Sequence, residues 1–226
     1  QGHYAEGRPE PNMLQWLELV ALATVCDVVP LKGLNRAYVT QGLKIMARRE
    51  NLGLAALADV SGLKRRPDTY ALGFLLGPRL NAAGRVGHAD EALALLMADD
   101  RGDAANLARN LDELNRKRQA MEMRAVDDAV TQAALSLGTE RKPAVIVAAA
   151  EGWHPGIVGL VAARLKERFR LPAFAISLSK ATGLAVGSGR SIAPLHLRDA
   201  IDLVAKRHPG LILRFGGHAA AAGLTL

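Results

Sequence analysis

From Asp103 to Leu137 the chain runs for 35 residues without a glycine or a proline, while leucine, methionine and alanine recur three and four positions apart. A breaker-free stretch with that apolar period predicts one uninterrupted helix, with Asp103 as its N-cap and "LGTERKP" as its stop. At 1.5 Å per residue such a helix extends about 50 Å, more than one small domain needs. It therefore reads as a connector between two lobes. The chain divides into residues 1–98, a connecting helix over 99–137, and residues 138–226.

The flanks of that helix differ in pattern. Before it, Asn12 can cap a segment, Met13 to Cys26, that is apolar nearly all round, as expected of a buried helix. Further helical patterns cover 34–50, 54–60, 69–76 and 89–98, joined by turns rich in glycine and proline. Between the last two, "GPRLNAAGRVG" carries Arg79, Asn81 and Arg85 in a stretch too rich in Gly, Pro and small residues for a good helix throughout. After the connector the period changes. "AVIVAAA", "AFAISLS" and "GLAVGSGRS" read as strands, "PGIVGLVAARLKERF" and "LRDAIDLVAKR" as helices, and "LILRFGG" as a strand or its edge. That β-α-β-β-α-β order implies a mixed sheet with helices packed on it. The fold class is α/β: a mainly helical first part, a long helix, then a mixed-sheet domain.

Charge divides at the same place. Residues 1–137 carry 17 basic and 17 acidic side chains and residues 138–226 carry 12 and 5, so the net +7 lies wholly in the second part. A lobe of that sign suits a polyanion, although a solubilising basic surface reads the same way. The single cysteine, Cys26, excludes an internal disulfide and a thiolate metal cluster, and favours a reducing compartment such as the cytoplasm. The longest apolar runs fall far below the roughly 18 to 20 residues that span a bilayer, and no signal peptide is visible, so no membrane partner is expected. The chain opens on Gln1 and passes directly into "GHYAEGRPEPN", which reads as the interior of a longer polypeptide.

Four places carry residues with chemical potential. In "LVALATVCDVVPL" one carboxylate, Asp27, sits in an apolar stretch with no basic residue before Lys32. Burying it would cost several kcal/mol without a partner, and the carbonyl end of a helix repels it. A bound cation reverses that sign, while a local side-chain turn toward Pro30 is the plainer use of Asp. "EGWHPGIVG" is a strand-to-helix turn whose N–H groups suit a phosphate, with Trp153 available to stack and His154 to donate; equally, Trp153 can be core. "GSGRS" sets Arg190 among small residues, as a phosphate contact or as an ordinary hairpin arginine. "FGGHAAAAG" combines Gly216, Gly217 and His218 with alanines that permit close backbone approach or close packing. No phosphate loop ending in Lys-Ser/Thr, no His-Glu-x-x-His helix and no Gly-x-Ser-x-Gly elbow is present, and His3, His88, His196 and His208 have no companions at ligand spacing.

Taken in order, "ALATVCDVVPL", "GPRLNAAGR", "GWHPGIVGLVAARL", "GSGRS" and "FGGHAAAAGLTL" resemble the RecJ family of single-strand-specific DNA exonucleases, in the DHH phosphoesterase superfamily. The resemblance covers about 210 residues. It implies that Asp27 belongs to the last metal-ligand motif and binds a divalent cation, usually manganese, or magnesium, in a centre of two ions. The family's Asp-x-Asp segment and its Asp-His-His triplet occur nowhere in this sequence, so the centre is incomplete here. By matching motifs, Arg79, Asn81 and Arg85 would face the phosphate as catalytic residues. Trp153, His154, Arg190, Ser191, Gly216, Gly217 and His218 would hold the DNA.

The domain assignment that follows is the C-terminal part of a DHH catalytic domain, the connecting helix, and a DHHA1 substrate-binding domain. The implied activity is hydrolysis of single-stranded DNA from a 5′ end, in recombination and repair. Single-strand-binding protein and a recombination helicase are partners by family expectation. This chain alone is expected to bind DNA and to be poorly active. Two other readings stay open: a phosphodiesterase of short oligoribonucleotides or cyclic dinucleotides, against which "PRLNAAGR" argues, and a non-catalytic DNA-binding module.

Overall fold

A computed structural model describes residues 10–139 and 143–226; "GHYAEGRP" and the "ERK" of the expected helix stop lie outside the described residues. The chain forms two compact units, Gln1–Asn115 and Arg116–Leu226, divided within one helix.

The first unit is helical. Asn12 Oδ1 accepts from the Leu14 N–H at 3.2 Å and opens a 3-10 turn, Met13–Trp16, that runs into α1, Leu17–Cys26. Then come α2, Gly33–Met46, and α3, Leu52–Val60, the latter capped by Asn51. A π-helix, Ala71–Leu76, continues as α4, Gly77–Val86, followed by α5, Ala89–Leu96, and α6, Arg101–Leu137. Leu57, Leu72, Leu76, Leu95 and Leu111 are fully buried between these helices, and the first part of α6 adds Ala104 and Ala108.

Two expectations are corrected here. The segment around α1 is not buried all round: it covers Glu18, Ala21 and Leu22, while Met13, Leu14, Trp16 and Val20 stay exposed. The unit packs α1 mainly against α2 and the π-helix, and an apolar side chain is buried only where a partner covers it. Second, "GPRLNAAGRV" is a helix. Pro78 has no N–H to give, and its ring would clash with the carbonyl four residues back in a regular α-helix. The preceding turn is π instead, closed by the Gly77 N–H on the Leu72 carbonyl, and it absorbs the proline.

The second unit is a five-stranded mixed sheet with helices on both faces. Its elements are β1, Ile146–Glu151; α7, Val158–Phe169; β2, Ala173–Leu178; β3, Ala185–Arg190; α8, Leu197–Arg207; β4, Arg214–Gly217; and β5, Ala221–Thr225. The order is β1-β2-β3-β5-β4, with β1 and β2 parallel and the other pairs antiparallel. Along β2 the side chains alternate: Ala173, Ala175 and Ser177 lie on the α7 face, while Phe174 packs with Leu197 and Ile201 of α8. The fifth strand was not read from the sequence, because "AAGLT" has neither the β-branched content nor the alternation that mark a strand.

The later part of α6 buries Ala125, Ala129 and Ala133 in this unit. Its Gln132 meets the edge of β1 with both amide atoms: Oε1 accepts from the Ala149 N–H at 3.0 Å, and Nε2 donates to the Ala149 carbonyl at 3.2 Å. An edge strand is thereby paired at that position by a side chain. Glu122 accepts from Arg118 and lies 3.5 Å from Arg164 of α7. Among the described residues no helix is long and apolar enough to cross a membrane.

Gln132→Ala leaves both Ala149 groups unpaired and is expected to lower stability by about 1–3 kcal/mol, read from urea unfolding. Glu18 gives a second test. It is 5% exposed and one carboxylate oxygen has no hydrogen-bond partner among the described residues. Burial, and then the nearby charge of Glu50, hold its carboxyl above the ordinary value of 4.5. With the folded value raised, the unfolded chain releases that proton first. Stability is therefore full below the ordinary value and is lost as pH rises toward the raised one. Unfolding followed across that range is expected to show this slope, and Glu18→Gln to remove it.

Candidate nucleic-acid interface

Asp27 is the C-cap residue of α1, where its own N–H bonds the Ala23 carbonyl. Its side chain is exposed, so the burial penalty expected from the apolar sequence does not arise. None of the hydrogen bonds or ion pairs among the described residues engages its carboxylate. The helix ends there through Val28, at φ 56°, with Val28 N–H on the Val25 carbonyl and Val29 N–H on the Thr24 carbonyl. That is a Schellman closure, which usually has glycine at the left-handed position; a β-branched residue there is strained by roughly 1–2 kcal/mol.

Asp27 borders an open cavity of about 850 Å³ together with Thr24, Cys26, Asn81, Gly84 and Arg85. The α1 end and α4 thus bring three of the sequence-selected residues, Asp27, Asn81 and Arg85, to one space. Arg79 is placed differently. Its Nε and Nη2 both lie 2.8 Å from Asp112 Oδ1 of α6, and its Nη1 donates to the Leu75 carbonyl at 2.7 Å. The two side chains are 15% and 8% exposed, so Arg79 ties α4 to α6 within the first unit. Asp112 went unnoticed in the sequence. Its signal is position: a carboxylate on the buried stripe that holds Ala104, Ala108 and Leu111.

The donor set around Asp27 does not fit a two-ion centre. It offers one carboxylate and the neutral oxygens of Thr24 and Asn81, and among the described residues no group of three or more His, Cys, Asp or Glu could hold a metal ion.

In the second unit the sheet register sets the other residues. Arg190 ends β3 opposite Ala221, and Gly189 stands in a row with Ala222 and Gly217. The Ser191 N–H bonds the Ala220 carbonyl at 2.8 Å, and the His218 N–H bonds the Ala221 carbonyl at 2.8 Å. The end of β3 and the Gly-Gly-His turn are therefore neighbours. Gly217, at φ 148°, has no room for a side chain, since an added Cβ would lie 2.3 Å from the Ala221 carbonyl oxygen. At Gly216 the space is open.

Arg190 is half-buried on the α7 face. Its Nη1 donates to Ser188 Oγ at 2.8 Å and to the Gly189 carbonyl at 2.9 Å, which aims the guanidinium at the first turn of α7. There a Cβ on Gly159 would fall 2.9 Å from Nη2 and would displace the guanidinium from this place. The N-cap of α7, Ile157, supplies no side-chain acceptor to that turn. An uncapped helix start beside an oriented guanidinium is an anion-binding arrangement. Gly159 and Ser188 were not selected from the sequence, and only their spacing across the α7–β3 contact reveals them.

His154 and His218 share one local device. Each Nδ1 accepts a backbone N–H two residues on, Gly156 at 3.0 Å and Ala220 at 3.3 Å, which puts the ring proton on Nε2 as a donor. Trp153 departs from the stacking expectation. It is 8% exposed and its carbonyl accepts from Ser177 Oγ at 2.6 Å, so its ring belongs to the core. Ser191 is likewise buried, with its hydroxyl donating to the Leu195 carbonyl at 2.9 Å.

Residues 142–226 match the DHHA1 domain family. Across its whole length the chain is 44% identical to the single-stranded-DNA-specific exonuclease RecJ of Dickeya dadantii, and over 96% of its length 42% identical to that of Escherichia coli. The magnesium complex of RecJ from Thermus thermophilus superposes on 96% of the chain with a TM-score of 0.83 at 34% identity. The chain is similar to RecJ exonucleases along its whole length, and its residues 142–226 are similar to the DHHA1 domain family. A manganese-bound RecJ matches with a TM-score of 0.79. The chain spans 40% and 38% of those two curated relatives, and 32% and 51% of the two solved chains. The RecJ-like chain is α/β, as its sequence pattern implied.

Asp112→Ala strands the Arg79 charge and is expected to cost about 3–5 kcal/mol in a denaturation experiment, whereas Arg79→Met with Asp112→Leu costs much less. Equal losses in the two variants would contradict the assignment of Arg79 as a buried tie.

Proposed function

We propose that this chain is the part of a single-strand-specific DNA exonuclease that receives the strand. In this reading residues 1–98 are the C-terminal part of a DHH catalytic domain, 99–137 the connecting helix, and 138–226 the DHHA1 substrate-binding domain. The whole protein hydrolyses phosphodiesters from a 5′ end, in the cytoplasm, during recombination and repair.

The observation that carries the reading is Arg190, held by Ser188 and Gly189 against the uncapped first turn of α7 and next to the Gly-Gly-His turn. Arg190 and the α7 amides take a backbone phosphate. His218 and His154 donate from Nε2 to phosphate oxygens, and Gly216 and Gly217 let the strand approach the backbone. Trp153 and Ser191 hold these turns in place from within the core. In the first unit Asn81 and Arg85 face a phosphate in the cavity that they line with Asp27, and Arg79 positions α4 through Asp112. Asp27 is proposed as this chain's contribution to a divalent-cation centre, manganese or magnesium. One carboxylate does not hold two ions, so the hydrolytic step is not assigned to the described residues. The readings as a phosphodiesterase of short oligoribonucleotides or of cyclic dinucleotides gain no support from the curated relatives, which are RecJ exonucleases.

Fluorescence anisotropy with a single-stranded oligonucleotide tests this. Binding is expected to weaken steeply with salt, as phosphate contacts release counterions. Arg190→Ala and His218→Ala are each expected to lower affinity by about tenfold, the worth of one charge-assisted contact. Salt-independent binding, or unchanged affinity in both variants, would overturn the reading.

A further inference from the structure

Tyr70 and Phe74 lie one turn apart on the helix that leads into α4, with ring centroids 4.9 Å apart and planes inclined by 24°. They are 54% and 67% exposed. This belongs to a wider pattern, because the first unit's core is made of leucine and alanine, and its other described aromatics, Trp16 and Tyr38, are exposed as well. The Tyr70–Phe74 pair differs from those two in its surroundings. Lys64, Arg65 and Arg66 precede it, all exposed. Arg65 Nη2 lies 3.0 Å from Asp68 Oδ2, and the other oxygen of Asp68 accepts from the Ala71 N–H at 2.8 Å. One carboxylate thereby fixes the basic loop to the start of the helix that carries the rings.

We infer that Tyr70 and Phe74 form a base-stacking platform for single-stranded DNA, with Lys64 and Arg66 as its phosphate contacts. The inference rests on the DNA reading above and extends it to a surface none of the sequence motifs marks. Stacked aromatics flanked by cations are how sequence-tolerant single-strand sites are built, since every base has a π face and every step a charge. Protein-docking faces, by contrast, are depleted in lysine. The helix is continuous from Tyr70 through the π turn to Asn81 and Arg85, so platform and cavity share one rod. From the middle of the pair to Asn81 is about 13 Å along that rod, the rise of roughly four stacked nucleotides.

The experiment compares the affinity of the chain for an oligodeoxythymidylate and for an abasic deoxyribose-phosphate strand of the same length, in the wild type, Tyr70→Leu and Phe74→Leu. Both rings are exposed, and thermal unfolding is used to confirm that each variant folds. The wild type is expected to prefer the base-bearing strand, and each variant to lose about fivefold or more on that strand alone, the effect of one stacking contact. Equal loss on both strands, or no loss on either, overturns the platform while leaving the DNA reading intact. Failure of the wild type to bind any strand overturns both. Reduced self-association of the variants with unchanged DNA affinity overturns the platform in favour of a protein-docking face.

Discussion

The structure depends on one helix that is a core element of both units. Helix α6 reaches 37 residues because nothing in its sequence breaks it, and it packs closely because its buried positions are mostly alanine. A large residue on that stripe would hold the neighbours away; alanine lets them meet the backbone. Three polar side chains on or beside the stripe each fix something the candidate sites need. Asp112 holds Arg79 and with it α4, Glu122 holds Arg164 of α7, and Gln132 holds the edge of β1. Buried polar contacts add modest net energy but strongly penalise misplacement, so they set position more than strength.

The two arginines in glycine-rich motifs show how context assigns a role. Arg79 meets a buried carboxylate and becomes part of the framework. Arg190 is oriented by a hydroxyl and a carbonyl, and its guanidinium is laid against a helix start where amide N–H groups already favour an anion. Nothing in "GPRLNAAGR" or "GSGRS" alone separates these fates. The separation comes from Asp112, 33 residues away, and from Gly159, 31 residues away, and is a property of the fold.

What was legible in the sequence follows from the same distinction. The long helix, the change of period after it and the basic excess of the second part are local or additive properties, and each can be read off directly. Pro78 misled because a π turn, invisible to composition, carries the helix through it. The fifth strand was missed because its alanines and glycine owe their extended form to pairing on both sides, with β3 and β4, rather than to their own preference. The apolar run around Asp27 suggested burial, yet the carboxylate is exposed, since a helix end takes its environment from neighbours that the run does not name. Trp153 failed as a stacking residue for the converse reason: a glycine-rich turn looks open in sequence, and the sheet closes over it.

The central claim is that the first turn of α7, Arg190 and the Gly-Gly-His turn together grip a DNA phosphate. Amide hydrogen exchange with and without a single-stranded oligonucleotide tests it most directly, because it reports on the backbone groups themselves. The account predicts slowed exchange at residues 156–160 and 216–221 when the strand binds. A bound strand that leaves both segments exchanging at their free rates, with protection confined to other parts of the chain, would contradict it.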